Sequence, residues 1–210
     1  MIRKKGAISV KSSFDEFNTT TLNDTDVRLS TFLVELCTNF VNKCDIFQLC
    51  CVQPIVVYTD GAALGNPGPG GYAAVLMYGD KRKEIFGAYA LTTNNRMELL
   101  AVIRALDNIK SRGIPVHIYS DSQYVCNAIL KGWLFGWKKK GWAKVKNPDL
   151  WQRFYPLYEV FKPQFHWVKG HSGVPENERC DVLATQAAAN GPFEKDHWYE
   201  THVASPDKLL

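Results

Sequence analysis

The strongest constraint on the fold is a pair of apolar, β-branched runs that each lead into an aspartate. Ile55–Tyr58 is followed by Asp60, and Val116–Ser120 is followed directly by Asp121. Such runs alternate with helix-like segments, which is typical of α/β domains with parallel strands. Ligands of open α/β sheets bind beside the carboxyl ends of the strands. The pattern therefore predicts an α/β fold with a site at Asp60 and Asp121.

The other elements follow from apolar periodicity and turn residues. The stretch 61–71 holds five glycines and two prolines and is predicted as a loop. A helix is predicted from a cap at Asn94 or Asn95 to about Ser111, because Leu99 begins an apolar stripe at helical spacing. Further strands are predicted at 72–78, 84–91 and 165–168, and further helices at 122–130, 149–161 and 176–189.

The chain divides into three parts by composition. Residues 54–190 carry the α/β pattern, 1–53 form an N-terminal extension of unknown role, and 191–210 form a C-terminal tail. The extension is either an unfamiliar appendage or an artefact of the assigned start. Because no methionine lies between Met1 and Met77, an internal start would need a non-AUG codon, for example one read here as Val52 or Leu49. The mass of the natural protein distinguishes the two.

The expected cellular location follows from two kinds of segment that the sequence lacks. No run of about 18 apolar residues is present, and no apolar segment of the secretory type follows the basic N-terminus. We therefore expect a cytoplasmic protein that does not enter a membrane.

Positive charge is concentrated in the middle of the chain. The whole chain has a net charge of +4, whereas residues 54–190 alone have +6, and 131–146 hold six lysines and no acid. This distribution fits a polyanionic partner, although a solvated lysine face gives the same pattern.

Four acids on separate predicted elements could form a metal site. Asp60, Glu98, Asp121 and Asp181 supply carboxylate oxygens, the ligands that Mg²⁺ and Mn²⁺ prefer. Each acid also has a local alternative. Asp121 could cap the helix after it, Glu98 could interact with its helix dipole, and Asp181 could pair with Arg179.

Six segments in order resemble the bacterial-type ribonuclease HI family. The resemblance covers 54–190, about two-thirds of the chain. The segments are TDGAALGNPGPGGYAAVL (59–76), TTNNRMELLAVIRAL (92–106), YSDSQYV (119–125), WKKKGW (137–142), KNPDLWQRF (146–154) and WVKGHSGVPENERCDVLA (167–184).

The resemblance implies a ribonuclease H catalytic domain at 54–190. Its fold would be a five-stranded mixed sheet of order 3-2-1-4-5, with strand 2 antiparallel and helices on both faces. It implies a monomer that hydrolyses the RNA strand of RNA–DNA hybrids with Mg²⁺, or Mn²⁺ as a substitute, leaving 5′-phosphate and 3′-hydroxyl ends. The implied metal-binding catalytic acids are Asp60, Glu98, Asp121 and Asp181, and His171 is implied as a loop histidine that assists proton transfer or product release.

The same resemblance implies the substrate contacts. Amide side chains suit a hybrid because they both donate and accept hydrogen bonds, while lysines add affinity that depends on salt and not on sequence. Without the family resemblance, the polar residues named below would be interpreted as ordinary turn formers and helix caps. The implied contacts are Asn66, Thr93, Asn94, Asn95 and Gln123, together with Lys138, Lys139 and Lys140 of a basic protrusion at 131–146.

Trp133, Trp137 and Trp142 are expected to pack within this protrusion rather than stack on bases. The segment after Trp142 is shorter than in the best-known enterobacterial member. This difference is expected to affect the affinity for the hybrid and not the cleavage chemistry.

Two other functions fit part of the sequence. One is a nucleic-acid-binding module of the same fold without activity, which the intact acids disfavour because they would repel phosphates. The other is the ribonuclease H part of a reverse transcriptase, for which the chain is too short unless it is a processed fragment.

Overall fold

A computed structural model describes residues 52–203. All but the last two residues of the predicted extension, and the end of the predicted tail, therefore lie outside the described residues. The described elements are β1 (Ile55–Ala63), β2 (Gly68–Tyr78), β3 (Lys81–Thr92), α1 (Asn94–Asp107), β4 (Val116–Ser120), α2 (Gln123–Leu130), α3 (Trp133–Lys139), α4 (Pro148–Phe161), β5 (Gln164–Trp167), α5 (Pro175–Asn190), β6 (Phe193–Glu194) and α6 (His197–His202).

The strands form one sheet of order β5-β4-β1-β2-β3-β6. Strand β2 is antiparallel to β1 and β3, whereas β4 runs parallel to β1 and β5 parallel to β4. The predicted five-stranded order and the antiparallel second strand are confirmed. A sixth strand, β6, pairs in parallel with the edge of β3 through two residues.

Helices cover both faces of the sheet. On one face, α1 packs against β1, β2 and α4, and its apolar stripe from Met97 to Leu106 is fully buried. On the other face, α5 packs against β1, β2 and β3 through a smaller cluster that includes Val75, Cys180 and Ala184. The sheet is therefore held in the middle of three layers, and the burial of apolar area on both faces is the main favourable term.

The stretch 61–71 is not the loop that its glycines predicted. Strand β1 continues to Ala63 and β2 begins at Gly68, so only a tight turn separates them. Two of the glycines serve close packing instead: a Cβ on Gly61 would stand 2.2 Å from the Glu98 backbone nitrogen, and one on Gly71 would stand 2.2 Å from the Ala184 carbonyl oxygen. Gly61 thus lets α1 approach β1, which brings Glu98 toward Asp60.

The C-terminal tail predicted from residue 191 begins with ordered structure that the sequence analysis did not expect. After β6, the short helix α6 starts at a capped N-terminus, where the Asp196 side chain accepts a hydrogen bond from Tyr199 N. Asp196 is buried and also binds Arg96 of α1 through two hydrogen bonds of 2.6 and 2.8 Å. The end of the described chain is therefore tied to the core by a buried ion pair.

Among the described residues, no helix combines the length and the apolar character that crossing a membrane would require.

Candidate active site

The four predicted acids line one cleft of about 470 Å³. Asp60 lies in the middle of β1 rather than at its end, because the strand continues three residues further. Asp121 directly follows β4, as predicted. Glu98 and Asp181 reach the same cleft from α1 and α5, on opposite faces of the sheet.

The local alternatives for three of these acids are wrong. The cap of α2 is Ser122, whose side chain accepts from Val125 N, so Asp121 is not the capping residue. Arg179 pairs with Glu84 through two hydrogen bonds of 2.9 Å and not with Asp181.

Glu98 is the fifth residue of α1, beyond the first turn, where no acid is found. Its carboxylate accepts hydrogen bonds from Asn94 Nδ2 at 2.8 Å and from Ser122 Oγ. The helix dipole therefore does not explain this acid.

The predicted cap of α1 is also wrong in detail. The N-cap position is Thr93, whose side chain makes no capping hydrogen bond, and the Asn94 side chain binds Glu98 instead. An amide that could have stabilised the helix start is used to position a carboxylate in the cleft.

The carboxylates of Asp60 and Asp181 each accept a hydrogen bond from a residue nearby in the chain. Asp60 Oδ1 accepts from Gly61 N at 2.7 Å, and Asp181 Oδ1 accepts from Thr185 Oγ1 at 3.3 Å. Within residues 52–203, no three His, Cys, Asp or Glu side chains stand together as a group ready to hold a metal ion. Without a cation, like charges in one cleft repel, which is consistent with carboxylates that bind separate donors.

Burial makes ionisation of two of these acids unfavourable. Desolvation raises the pKa of Asp60 to about 8, repulsion from Asp121, Asp181 and Glu98 adds to the rise, and the Gly61 N–H opposes it. Desolvation likewise raises the pKa of Glu98 to about 7, against the hydrogen bond from Ser122. Asp60 is only 8% exposed. A cleft that holds negative charge at this cost is suited to a cation.

His171 lies at the rim of the cleft. Its side chain is 81% exposed, and its Nδ1 stands 3.8 Å from Asp181 Oδ2. The residue has a φ of +50° in the loop before α5, a strained conformation for a residue other than glycine. The ring is therefore free to reach solvent and the cleft.

Sequence reasoning missed Asn177 of α5. Its Nδ2 donates to Asp121 Oδ2 at 3.3 Å, while its Oδ1 is buried without a hydrogen-bond partner. The residue is 2% exposed. An asparagine in the first turns of a helix carries no local signal for this role, because the contact joins residues 56 positions apart.

The predicted substrate contacts fall into two groups. Asn94 lines the carboxylate cleft, and Asn66, which accepts from Asn94 N at 3.3 Å, lines a second cleft of about 440 Å³ with Thr93 and Asn95. Lys146 and Trp198 of α6 complete its wall. Gln123 is exposed at the start of α2 and belongs to neither lining.

The basic protrusion is braced by aromatic packing. Trp137 lies 5.3 Å from Trp151, and Trp142 lies 6.0 Å from Tyr155, measured between ring centroids. Lys138, Lys139 and Lys140 are all exposed, and Lys138 Nζ also lies 3.9 Å from the centre of the Tyr155 ring. Lys138 thus has a cation–π contact within the protein.

Comparison with known proteins places the chain among ribonucleases. The RNase H family model matches residues 52–189. The Ribonuclease H of Syntrophus aciditrophicus (strain SB) is 53% identical over 152 residues, which is 70% of this chain and 87% of that protein. The Ribonuclease H of Nitratidesulfovibrio vulgaris (strain DSM 19637 / Miyazaki F) is 56% identical over 146 residues, 67% of this chain and 93% of that protein.

Solved structures agree with this assignment. The crystal structure of LC9-RNase H1 matches with a TM-score of 0.59 at 27% identity and covers 74% of this chain and 84% of that one. The N-terminal RNase H domain of a Mycobacterium tuberculosis protein matches with a TM-score of 0.52 at 27% identity and covers 65% and 94%.

Proposed function

The chain belongs to the ribonuclease H family, and we propose that Asp60, Glu98, Asp121 and Asp181 carry its reaction. That reaction is the endonucleolytic hydrolysis of the RNA strand of RNA–DNA hybrids. The observation that supports the proposed residues is their convergence on one cleft from four separate elements.

Mg²⁺ fits the donors of this cleft, and Mn²⁺ is the expected substitute. The donors are carboxylate oxygens, which hard divalent cations prefer. The raised pKa values of Asp60 and Glu98 reflect the cost of ionising buried carboxyls that have no cation beside them, and this cost supports a cation there. Asp60, Glu98, Asp121 and Asp181 would hold the cation. A bound divalent cation supplies Lewis acidity for the phosphoryl oxygens and lowers the pKa of water.

The chain's own residues position this chemistry. Asn94 and Ser122 orient Glu98, and Asn177 orients Asp121. His171 is the proposed proton carrier, because its imidazole is exposed and adjacent to Asp181.

The proposed hybrid surface extends from the carboxylate cleft through Asn94 to the second cleft with Asn66, Thr93 and Asn95. Amides there suit backbone and minor-groove contacts of a hybrid, where the 2′-hydroxyl distinguishes RNA from DNA. Gln123, Lys139 and Lys140 are exposed, and they remain proposed contacts because the family resemblance implies them. Lys138 would have to leave the Tyr155 ring to reach a phosphate.

The decisive test is cleavage of labelled duplexes of one sequence. With Mg²⁺, we expect cleavage within the RNA strand of the hybrid, with 5′-phosphate and 3′-hydroxyl products, and no cleavage of duplex DNA or duplex RNA. Binding to the hybrid without any cleavage, in either Mg²⁺ or Mn²⁺, would instead favour a binding module that lacks activity.

Oligomeric state and location are further proposals. The family resemblance favours a monomer, and we propose the cytoplasm as its location. Light scattering coupled to size-exclusion chromatography of the full chain tests the first, and cell fractionation tests the second.

The raised pKa of Asp60 predicts how the stability of the fold depends on pH. The folded pKa of Asp60, about 8, lies above the unfolded value near 4, so the folded state binds more protons between these values. Without divalent cations, this group therefore lowers stability progressively as pH rises from about 4 to about 8. Asp60→Asn removes the ionisable group, and in EDTA we expect the variant to melt several degrees above the wild type at pH above 8.

The difference should shrink toward pH 4 and reverse when saturating Mg²⁺ is added, because only the wild type gains cation binding at full strength. Thermal melts across this pH range measure it. A wild type that stays more stable than the variant in EDTA at high pH would show that Asp60 is not desolvated as described.

A further inference from the structure

Two histidines of neighbouring strands face each other outside the carboxylate cleft. His117 lies on β4 and His166 on β5, in a parallel pair whose register aligns Tyr119 with His166. Their strand neighbours Ile118 and Phe165 point into the main core, so the two histidines lie on the opposite face of the sheet. Both rings are half-buried and remain open to solvent on that face.

The imidazoles are in direct contact. His117 Nδ1 lies 3.0 Å from His166 Nε2, and the two ring planes differ by 8°. A hydrogen bond between two imidazole nitrogens needs one proton, so the second nitrogen presents its lone pair. Burial and the neighbouring His117 lower the pKa of His166, which favours the neutral ring that binds metals.

An aromatic column holds this arrangement in place. The His166 ring stacks on Tyr119 at 4.6 Å between centroids, and Tyr119 stacks on Tyr58 at 5.0 Å. The two histidines are thus fixed by the sheet register on one side and by stacking on the other. Little side-chain entropy remains to be lost when both nitrogens bind one ligand.

The separation of the nitrogens matches the bite of a transition-metal ion. Imidazole nitrogens bind Zn²⁺ at about 2.0–2.1 Å, so two nitrogens at a right or tetrahedral angle stand about 2.9–3.4 Å apart. The observed 3.0 Å lies in this range. We propose that His117 and His166 form a second metal site. The ring that donates the shared proton shifts to its other tautomer, so that both facing nitrogens present lone pairs to an imidazole-preferring divalent ion such as Zn²⁺, Ni²⁺ or Cu²⁺.

The chemistry of this site differs from that of the carboxylate cleft. Two neutral nitrogens favour ions of intermediate softness, whereas Mg²⁺ prefers oxygen. With two protein ligands, water completes the coordination and the ion exchanges with solvent. The ion would link β4, which leads into Asp121, to β5, which leads into the loop of His171. Its binding should therefore stabilise the fold.

Calorimetric titration of the full chain with Ni²⁺, after EDTA treatment and in saturating Mg²⁺, tests the proposal. Mg²⁺ competes for the carboxylates, and the part of the Ni²⁺ binding that is lost in the histidine variants reports the imidazoles. We expect His117→Phe and His166→Phe each to weaken this binding about tenfold or more. Phenylalanine keeps an aromatic ring in the column while removing the nitrogens. In melts, Ni²⁺ should raise the melting temperature of the wild type, and this rise should be lost in both variants.

His197→Phe is the matched control, because His197 is an exposed histidine of α6 outside the pair. It should leave Ni²⁺ affinity unchanged. Equal Ni²⁺ affinity in the wild type and both pair variants, or a loss that follows His197 instead, overturns the proposal. If either phenylalanine variant melts well below the wild type without metal, His117→Gln and His166→Gln replace it under the same criteria.

Discussion

Asp60→Asn should lower the rate of hybrid cleavage about a thousandfold or more while the protein stays folded. Asparagine has nearly the shape of aspartate but no negative charge, so it removes the central carboxylate of the cleft and leaves the packing of β1 intact. Loss of one charged contact to a catalytic cation or developing charge costs several kcal/mol at the transition state. Single-turnover cleavage with Mg²⁺ measures the effect.

Asp80→Asn is the matched control, because Asp80 is an exposed aspartate in the turn between β2 and β3. It should cleave at the wild-type rate. Hybrid affinity of Asp60→Asn should be retained or increased, since less negative charge then faces the phosphates. Cleavage by this variant within a few-fold of wild type would remove Asp60 from the proposed mechanism.

Arg96→Met should destabilise the fold by about 3–5 kcal/mol, the usual cost of leaving a buried charge unpaired. Arg96 is 2% exposed and donates two hydrogen bonds to Asp149 at 2.9 and 2.7 Å as well as two to Asp196. Its guanidinium also lies 5.1 Å from the Trp198 ring. Methionine fills much of the volume but leaves two carboxylates facing each other. Urea unfolding measures the loss.

The surface pair Arg153–Asp107 provides the comparison. Its N···O distance is 2.6 Å, as short as the Arg96–Asp196 pair, but both side chains are about one-third exposed or more. Arg153→Met should cost less than about 1 kcal/mol, because solvent screens exposed pairs. Equal losses in the two variants would show that burial does not set the strength of the Arg96 network.

The four acids of the cleft could be named from the sequence, because they stand in motifs that resemble the ribonuclease HI family. Their positions within the secondary structure could not be fully predicted. Strand patterns placed Asp121 correctly after β4, whereas Asp60 was expected at the end of β1 and lies within it. The error came from glycine: within 61–71, Gly61 and Gly71 suggested a loop but are small because α1 and α5 approach the strands there. Local propensity cannot distinguish these two uses of glycine.

The sequence also could not decide between a catalytic and a local structural role for each acid. Whether Asp121 caps α2, or Asp181 pairs with Arg179, depends on which competing partner is closer in space. Ser122 takes the cap, and Glu84, 95 residues away along the chain, takes the arginine. The cap is settled between neighbouring residues, whereas the partner of Arg179 is decided by long-range packing. Each acid read alone therefore kept two interpretations.

By itself, the sequence indicated an α/β fold and the candidate acids, because apolar periodicity and motifs are local signals. The order of the first five strands came only from the resemblance to the ribonuclease HI family. Only the tertiary structure decided how charge is held there. The raised pKa of Asp60, the contact of Asn177 with Asp121 and the anchoring of α6 through Asp196 all arise from groups distant in sequence. Burial and distance set electrostatic energies, and both exist only once the chain has folded.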